Sequence, residues 1–137
     1  MKEEVKTSVI VAAGGSGSRM GESLPKQFLR LQQKPIIVYC LELFESMPVI
    51  QEIIPVIPEE HVDRMHSIVN HYRLSKVSRL VPGGKKRQDS VWAGLQALSA
   101  PCEVVLIHDG VRPFTARDQV ENVINLTKTK HIQLSGF

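Results

Sequence analysis

Residues 7–20, TSVIVAAGGSGSRM, give the clearest indication of the fold. Its first six residues are mostly apolar or β-branched, and a cluster of glycines follows them almost at once. A short run of this kind that ends in glycines is typical of a buried strand followed by a tight loop. We therefore expect a strand over residues 7–12, and a loop at its carboxyl end whose backbone can approach a ligand closely.

Strand and helix patterns alternate along the rest of the chain. Further strands are predicted over residues 52–57, 77–81 and 104–107. Helices are predicted to begin after Pro35, at Glu59, near Gln88 or Asp89, and before Val120. Strands that alternate with helices indicate parallel βαβ crossovers, with helices on both faces of the sheet. The sequence therefore predicts an α/β fold with a Rossmann-like, mostly parallel sheet.

Composition restricts the class of protein. The chain has 137 residues, of which 42% are hydrophobic, and no repeat or linker divides it, so we expect residues 1–137 to form a single domain. No apolar run is long enough to cross a bilayer, and the first residues lack the apolar stretch of a secretion signal. We therefore expect a cytoplasmic protein without a membrane partner. The formal net charge of +3 favours small anionic partners such as nucleotides.

The cysteines and most histidines carry no signature of a metal site. Cys40 and Cys102 have neither metal-ligand spacing nor a disulfide framework, so we expect buried or half-buried thiols. His61, His66 and His71 are five residues apart, which places successive rings about 140° apart around a helix. Such rings do not converge on one ion, and we expect them at the surface.

Three loops follow predicted strands and carry the chemistry. They span residues 13–26, 82–90 and 108–114. The carboxyl ends of parallel strands lie at the same edge of a sheet, and ligands bind there in open α/β folds. We therefore expect these loops to converge on one site.

The first loop combines glycines with two cations. Gly14, Gly15 and Gly17 leave room for backbone N–H groups to line a phosphate site, although glycines alone are equally consistent with a flexible turn. Their spacing does not match the dinucleotide-binding pattern, and no P-loop lysine follows them. Arg19 and Lys26 flank the loop, and fixed cations are what nucleotidyl transfer requires around its negatively charged transition state. The alternative is that both are solvated surface cations.

Two segments of this region resemble a known family. Residues 13–20, AGGSGSRM, and residues 25–29, PKQFL, resemble the signature of the methylerythritol-phosphate cytidylyltransferases and their ribitol-phosphate relatives. In that family the glycine loop wraps the CTP triphosphate, and the matching arginine and lysine stabilise the pentacoordinate phosphorus. The resemblance implies catalytic roles for Arg19 and Lys26 and a fold of the nucleotide-diphospho-sugar transferase type. It also implies nucleotide contacts from Ala12, Ala13, Gly14, Gly15, Ser16, Gly17 and Ser18.

The second loop, GGKKRQDSV at residues 83–91, is similar to the family's nucleotide-base loop. By this resemblance, the backbone groups of Gly83, Gly84 and Lys85 would contact the cytosine or the phosphates. The hydroxyl of Ser90 would do the same. Backbone groups can distinguish the edge of a pyrimidine without a charged side chain. The alternative, a nucleic-acid patch made by the consecutive basic residues, is disfavoured because the basic surface is short and no aromatic residues interleave with it. No nucleic-acid partner is expected.

The third loop, HDGVRPF at residues 108–114, resembles the family's His-Asp-x-x-Arg-Pro element. Asp109 is predicted to bind Mg²⁺, which prefers carboxylate and phosphate oxygens, and the alternative is that it caps a turn. The resemblance implies a nucleotide contact from Gly110. It also implies that Arg112 holds the loop or the acceptor phosphate. His108 is expected to bond a backbone group rather than to act in catalysis.

The resemblance implies an activity for the complete family domain. That activity is transfer of a cytidylyl group from CTP to 2-C-methyl-D-erythritol 4-phosphate, with ribitol 5-phosphate as the alternative acceptor. The resemblance extends to Phe114 and then fades, and residues 131–137 do not resemble the expected next strand. We therefore expect a truncated chain with a sheet that is incomplete on its carboxyl-terminal side, so a CTP-binding fragment without turnover is a further alternative. The family is homodimeric through a projecting arm, and this chain, which lacks that arm, is not expected to dimerise by it.

Overall fold

A computed structural model describes residues 6–13, 26–99, 101–112, 114–129 and 135–136. Within these ranges the strands are β1 (Thr7–Ala12), β2 (Arg30–Leu31), β3 (Lys34–Pro35), β4 (Ile50–Ile57), β5 (Val81–Pro82), β6 (Val104–Asp109) and β7 (Ser135–Gly136). The helices are α1 (Ile36–Glu45), α2 (Val62–His71), α3 (Arg87–Gln96) and α4 (Arg117–Thr129). Single 3₁₀ turns lie at Lys26–Phe28 and Glu59–His61.

The main sheet is parallel and has the order β5-β4-β1-β6-β7. From β1 the chain moves outward to β4 and β5, and it then returns to the other side of β1 as β6. The order therefore reverses at β1, and Ala12 lies opposite Asp109 where β1 and β6 end. In open α/β sheets the crevice outside the carboxyl ends of two such strands is the place where ligands bind. The predicted Rossmann-like parallel sheet is confirmed.

Helices cover both faces of the sheet, as predicted. Alternate residues of β1 point to opposite faces, so Val9 and Val11 lie in the larger core with α1, α2 and α4, while Ile10 lies in a smaller core with α3. Gly94 brings α3 close to the sheet, because a Cβ atom added there would lie 2.6 Å from Cγ2 of Ile10. α3 thus packs directly on the central strand, and its amino terminus lies at the carboxyl edge of the sheet.

The predicted strand over residues 77–81 is wrong in most of its length. Val77 makes one isolated bridge to Ile53, and regular pairing with β4 begins only at Val81. Between them, the hydroxyl of Ser78 donates to the carboxylate of the buried Glu52 at 2.5 Å. This segment is therefore held to β4 by a side-chain contact, which a pattern of apolar residues does not reveal.

The closing stretch also differs from expectation. Ser135 and Gly136 pair in parallel with Leu106 and Ile107, so residues 131–137 do contain a short strand beside β6. Pairing of two residues requires only backbone groups on the exposed edge of β6. A sequence pattern is therefore not needed to form it, which explains why none was visible.

The remaining sequence expectations concern single residues and membrane association. Cys40 is buried and Cys102 half-buried, both as free thiols, which confirms the prediction. His66 and His71 are exposed as expected, whereas His61 is half-buried and its ring centroid lies 5.3 Å from that of Phe28. In the part of the chain that the structure describes, every helix is too short or too polar to cross a bilayer.

Candidate functional site

A cavity of about 230 Å³ lies at the carboxyl edge of the sheet, beside the switch point between β1 and β6. Among the described residues it is lined by Ala12, Gly84, Lys85, Lys86, Arg87, Ser90 and Asp109. These residues come from the end of β1, from the loop before α3 with the first turn of that helix, and from the end of β6. The second and third loops therefore meet at this cavity, as predicted, whereas the strand end before the first loop contributes Ala12 and the convergence of the first loop stays a prediction.

The charges around this cavity suit a polyanion. Lys85, Lys86 and Arg87 are exposed at its rim. Arg87 is also the first residue of α3, and among the described residues no side chain caps this end of the helix. The uncapped N–H groups of a helix amino terminus attract negative charge. The helix end and the three cations together favour the binding of phosphate groups.

The loop before α3 is held in place by its own backbone. The N–H of Gly83 donates to the carbonyl oxygen of Ile57 at 2.7 Å, and the N–H of Gly84 donates to the hydroxyl oxygen of Ser90 at 3.2 Å. Ser90 is only 2% exposed. A Cβ atom added at Gly84 would lie 2.4 Å from that of Asp89, so the turn requires a glycine. Both glycine N–H groups are thus engaged within the protein, which leaves the loop's carbonyl groups and Lys85 to meet a ligand.

Asp109 occupies the end of β6 and has a turn-forming contact. Its Oδ1 accepts a hydrogen bond from the N–H of Val111 at 3.1 Å, and its carbonyl oxygen accepts one from the N–H of Arg112 at 3.2 Å. The turn-cap alternative is therefore correct for one carboxylate oxygen. The same side chain is half-buried and lines the cavity, where a carboxylate is available to a ligand or cation.

Cys40 of α1 is a buried free thiol. It is 1% exposed, and burial raises the pKa of its thiol to about 12. The negative charge of Asp109 acts in the same direction.

Two further residues of the third loop for which a site role was implied, Gly110 and Arg112, are not among those that line the cavity. Gly110 is buried, and its N–H donates to the carbonyl oxygen of Ala12 at 3.2 Å. A Cβ atom added at Gly110 would lie 3.0 Å from that of Ala13, so the absence of a side chain permits close approach of two loops. Arg112 is exposed near the end of β6. The roles implied for Gly110 and Arg112 stay predictions.

His108 lies inside the protein. It is fully buried in β6, and its ring meets that of Phe44 edge-on with centroids 5.2 Å apart. This placement is consistent with the expectation that His108 has no catalytic role, because the ring is removed from the cavity.

The first loop is only partly described. Residues 14–25, which include Arg19 and the predicted nucleotide contacts at residues 14–18, lie outside the described residues. Lys26 is exposed at the start of a 3₁₀ turn and is not part of the cavity lining. The convergence of Arg19 and Lys26 on one phosphate therefore stays a prediction.

Gln27 makes a buried contact with the residue after β1 that the sequence did not reveal. It is buried, and its Nε2 donates to the carbonyl oxygen of Ala13 at 2.7 Å. Its sequence context, between a lysine and a phenylalanine, gives no sign of this contact. A glutamine in a predicted loop is usually exposed, so only the fold could show it.

Comparisons with known proteins agree with the geometry. Residues 7–134 match the family model described as IspD: 2-C-methyl-D-erythritol 4-phosphate cytidylyltransferase. The chain is 49% identical over 122 residues to the protein of that name from Clostridium botulinum (strain Okra / Type B1), covering 89% of this chain and 53% of that protein. It is 43% identical over 129 residues to the one from Alkaliphilus oremlandii (strain OhILAs), covering 93% and 55%. The chain therefore spans about half the length of these curated relatives.

Solved structures give the same result. The crystal structure of 4-diphosphocytidyl-2C-methyl-D-erythritol synthase from Anaerococcus prevotii DSM 20548 is similar with a TM-score of 0.77 and 31% sequence identity. The similarity covers 91% of this chain and 52% of that one. Because the family model matches nearly the whole chain, and relatives above 40% identity carry the family's name, this chain belongs to the 2-C-methyl-D-erythritol 4-phosphate cytidylyltransferase family.

Proposed function

We propose that this chain binds CTP and transfers its cytidylyl group to 2-C-methyl-D-erythritol 4-phosphate. The products would be 4-diphosphocytidyl-2-C-methyl-D-erythritol and pyrophosphate, a step of non-mevalonate isoprenoid synthesis. One observation carries the proposal: in a chain of this family, a cationic cavity with one carboxylate lies at the switch point of a parallel sheet. That position and that charge pattern suit a nucleoside triphosphate.

The proposed reaction is a direct displacement at the α-phosphorus of CTP. An oxygen of the acceptor phosphate forms the new P–O bond while the bond to the bridging oxygen breaks, and pyrophosphate leaves with that electron pair. The crowded phosphorus carries extra negative charge at the transition state. We assign its stabilisation to Lys26 and Arg19, the point charge and planar fork that suit different oxygens of one phosphoryl group.

We assign nucleotide binding to the loop before α3 and to the end of β1. Because the N–H groups of Gly83 and Gly84 are engaged, we attribute recognition of the cytosine amino group to the carbonyl oxygens of this loop and to the backbone of Lys85. The cationic rim and the start of α3 would hold the triphosphate. Ala12 lines the cavity and would contact the nucleotide directly.

The residues present fit a magnesium ion. Mg²⁺ commonly binds proteins through one or two carboxylates and completes its coordination with water and substrate phosphates. Asp109 supplies one carboxylate at the cavity, and it would hold the ion beside the phosphates. When bound, Mg²⁺ would neutralise charge on the departing pyrophosphate.

Methylerythritol phosphate is favoured over ribitol 5-phosphate as the acceptor. The curated relatives at 43% and 49% identity are both named for the methylerythritol compound. Arg112, exposed beside the end of β6, is our candidate for binding the acceptor phosphate. The remaining alternative is CTP binding without turnover, because the chain spans only about half the length of those relatives.

Two measurements test the proposal. Calorimetry with CTP reports binding, and a pyrophosphate-release assay with each acceptor in turn reports transfer. We expect CTP binding and faster release with methylerythritol phosphate than with ribitol 5-phosphate. Binding without release would leave only the fragment hypothesis, efficient use of ribitol 5-phosphate alone would overturn the acceptor assignment, and failure to bind CTP would overturn the whole proposal.

We further propose a cytoplasmic location and no nucleic-acid or membrane partner. The free thiols of Cys40 and Cys102 fit a reducing compartment, where disulfides rarely persist. Detection of the protein in a fractionated cell extract, against marker proteins of each compartment, tests this location.

A further inference from the structure

A buried amide joins the two sides of the glycine-rich loop. Gln27 is 3% exposed, and its Nε2 donates to the carbonyl oxygen of Ala13 at 2.7 Å, a contact between residues 14 positions apart. A hydrogen bond of this length in a buried environment is well formed, and loss of its donor would leave a buried carbonyl without that partner. The contact therefore links the residue that follows β1 to the residue that follows Lys26.

The acceptor side of this contact is part of the sheet. Ala13 is 5% exposed, and its N–H donates to the carbonyl oxygen of Val56 at 2.9 Å, which continues the pairing of β1 with β4. Its carbonyl group is therefore fixed relative to the strand ends. A side chain that donates a hydrogen bond to this oxygen is therefore held at the carboxyl edge of the sheet.

The segment that contains Gln27 is fixed by contacts with the core and with α1. Phe28 is 3% exposed within the larger core, and the N–H of Leu29 donates to the carbonyl oxygen of Lys26 at 3.1 Å, which closes the 3₁₀ turn. The N–H of Ile36, at the start of α1, donates to the carbonyl oxygen of Leu29 at 2.8 Å. The backbone of Lys26 is thus held between the sheet and α1, while its side chain is exposed.

We propose that Gln27 is a positioning residue for Lys26: its amide fixes the lysine's backbone to the carboxyl end of β1, where the reacting phosphate would lie. This inference rests on the proposed function for the role of Lys26. An amide suits the task because it donates to a carbonyl oxygen without placing a charge in a buried place. The rate of a displacement is sensitive to placement, and a misplacement of about 1 Å can cost about 100-fold.

The first test separates rate from binding. Gln27→Met keeps the length of the side chain and removes the donor. We expect kcat for pyrophosphate release to fall about 100-fold while KM for CTP changes less than about threefold, because only the placement of a transition-state contact is lost. A folded Gln27→Met protein with the kcat of the unmodified chain would overturn the inference.

A double-mutant cycle shows whether the effect passes through the lysine. With Lys26→Ala already present, Gln27→Met should reduce kcat by less than about twofold further, because the group that it positions is gone. Losses that multiply in the double variant would show that Gln27 acts independently of Lys26. If the Gln27→Met protein does not fold, Gln27→Glu replaces it in the double-mutant cycle. This substitution exchanges the hydrogen-bond donor for an acceptor at nearly constant side-chain size.

Thr127→Val provides a matched control. Thr127 is also 3% exposed, and its hydroxyl donates to a backbone carbonyl, that of Val123, at 2.8 Å in α4. It lies in the last turn of α4 and is not among the residues that line the cavity. The substitution should lower Tm, as loss of a buried hydrogen bond does, and leave kcat unchanged. A similar loss of kcat in this variant would show that general destabilisation explains the Gln27 result.

A second readout needs neither nucleotide nor turnover. Cleavage by trypsin after Lys26 requires the local backbone to open. We therefore expect Gln27→Met to raise the rate of this cleavage about tenfold, after each rate is divided by the rate measured for the same chain when unfolded. Thr127→Val should leave the relative rate unchanged, and an unchanged rate in Gln27→Met would overturn the inference. If the unmodified chain released no pyrophosphate, the proposed function would fail while the trypsin rate still decided whether Gln27 fixes the backbone at Lys26.

Discussion

Asp109 was predicted either to bind Mg²⁺ or to cap a turn, and the geometry of its side chain is compatible with both. One carboxylate oxygen accepts the N–H of Val111, which is the ordinary use of an aspartate after a strand. The side chain nevertheless lines the cavity, where its charge is placed for the magnesium ion that we propose. The two uses are compatible because a carboxylate has two oxygens and several lone pairs.

Asp109→Asn separates these two uses. The amide oxygen can still accept the N–H of Val111, so we expect Tm to change by less than about 2 °C. The charge is lost, so pyrophosphate release should fall about 100-fold and need a higher magnesium concentration for half-maximal rate. A magnesium titration of the rate, with Tm measured in parallel, checks both expectations. An unaltered magnesium requirement would leave Asp109 with its turn contact alone.

Lys26→Ala tests the proposed catalytic charge. We expect kcat for pyrophosphate release to fall by about 100-fold to 1000-fold, the range seen when one fixed donor to a transition-state oxygen is removed. The Kd for CTP should change less than about threefold, because the charge acts mainly at the transition state. Lys6→Ala, at an exposed position before β1 and away from the carboxyl edge, is the control. Equal losses in rate and affinity would contradict the assignment.

At the scale of elements, α3 connects the core to the candidate site. Its buried side packs on β1 and β4, and its first residue, Arg87, lines the cavity. The loop before it is anchored by bonds from Gly83 to Ile57 and from Gly84 to Ser90. The position of the cationic rim is therefore set by how closely α3 packs on the sheet.

Gly94→Ala tests that packing. A Cβ atom would lie 2.6 Å from Cγ2 of Ile10 and 3.2 Å from Cγ2 of Val56, so α3 must shift. We expect the free energy of unfolding to fall by about 1–3 kcal/mol, the usual cost of overpacking. Helix propensity alone predicts the opposite sign, since alanine is favoured over glycine by about 1 kcal/mol. Urea unfolding gives the sign, with the exposed Gln96→Ala as control, and a stabilised Gly94→Ala protein would contradict the packing.

At the scale of the whole molecule, the sheet formed by the described residues is well paired in its middle and short at both edges. β1 pairs along its full length with β4 and β6, whereas β5 and β7 each contribute two residues. The chain also spans about half the length of its curated relatives. The site therefore depends on the central strands, which are the most fully paired part of the sheet.

Thiol labelling tests how cooperatively this core opens. Cys40 is buried with a thiol pKa of about 12, whereas Cys102 is half-buried. At pH 8 we expect a thiol reagent to label Cys102 first, and Cys40 only at the rate of global unfolding, because burial blocks access and suppresses the reactive thiolate. Cys102→Ser isolates the slow reaction. Fast labelling of Cys40 without denaturant would show that the core opens locally.

Local patterns were sufficient for the four helices and for β1, β4 and β6, and insufficient for β2, β3, β7 and most of the strand predicted over residues 77–81. The apolar run before the glycines predicted β1 with its bounds, and apolar spacing predicted four helices that the structure contains. The strand over residues 77–81 failed because Ser78 bonds to Glu52, 26 residues earlier in the chain. A contact between residues so far apart in the chain cannot be predicted from the pattern of neighbouring residues.

The α/β fold and the family could be predicted from the amino-acid sequence, because hydrophobic period and glycine placement are properties of neighbouring residues. The sequence also indicated which loops would meet, since parallel strands end at one edge. The hydrogen bonds within those loops became visible only in the folded protein. The N–H groups of Gly83 and Gly84 are engaged, Asp109 accepts a bond within its own turn, and Gln27 donates to Ala13. Each of these outcomes depends on distance and burial between loop groups, and these become fixed only when the chain has folded.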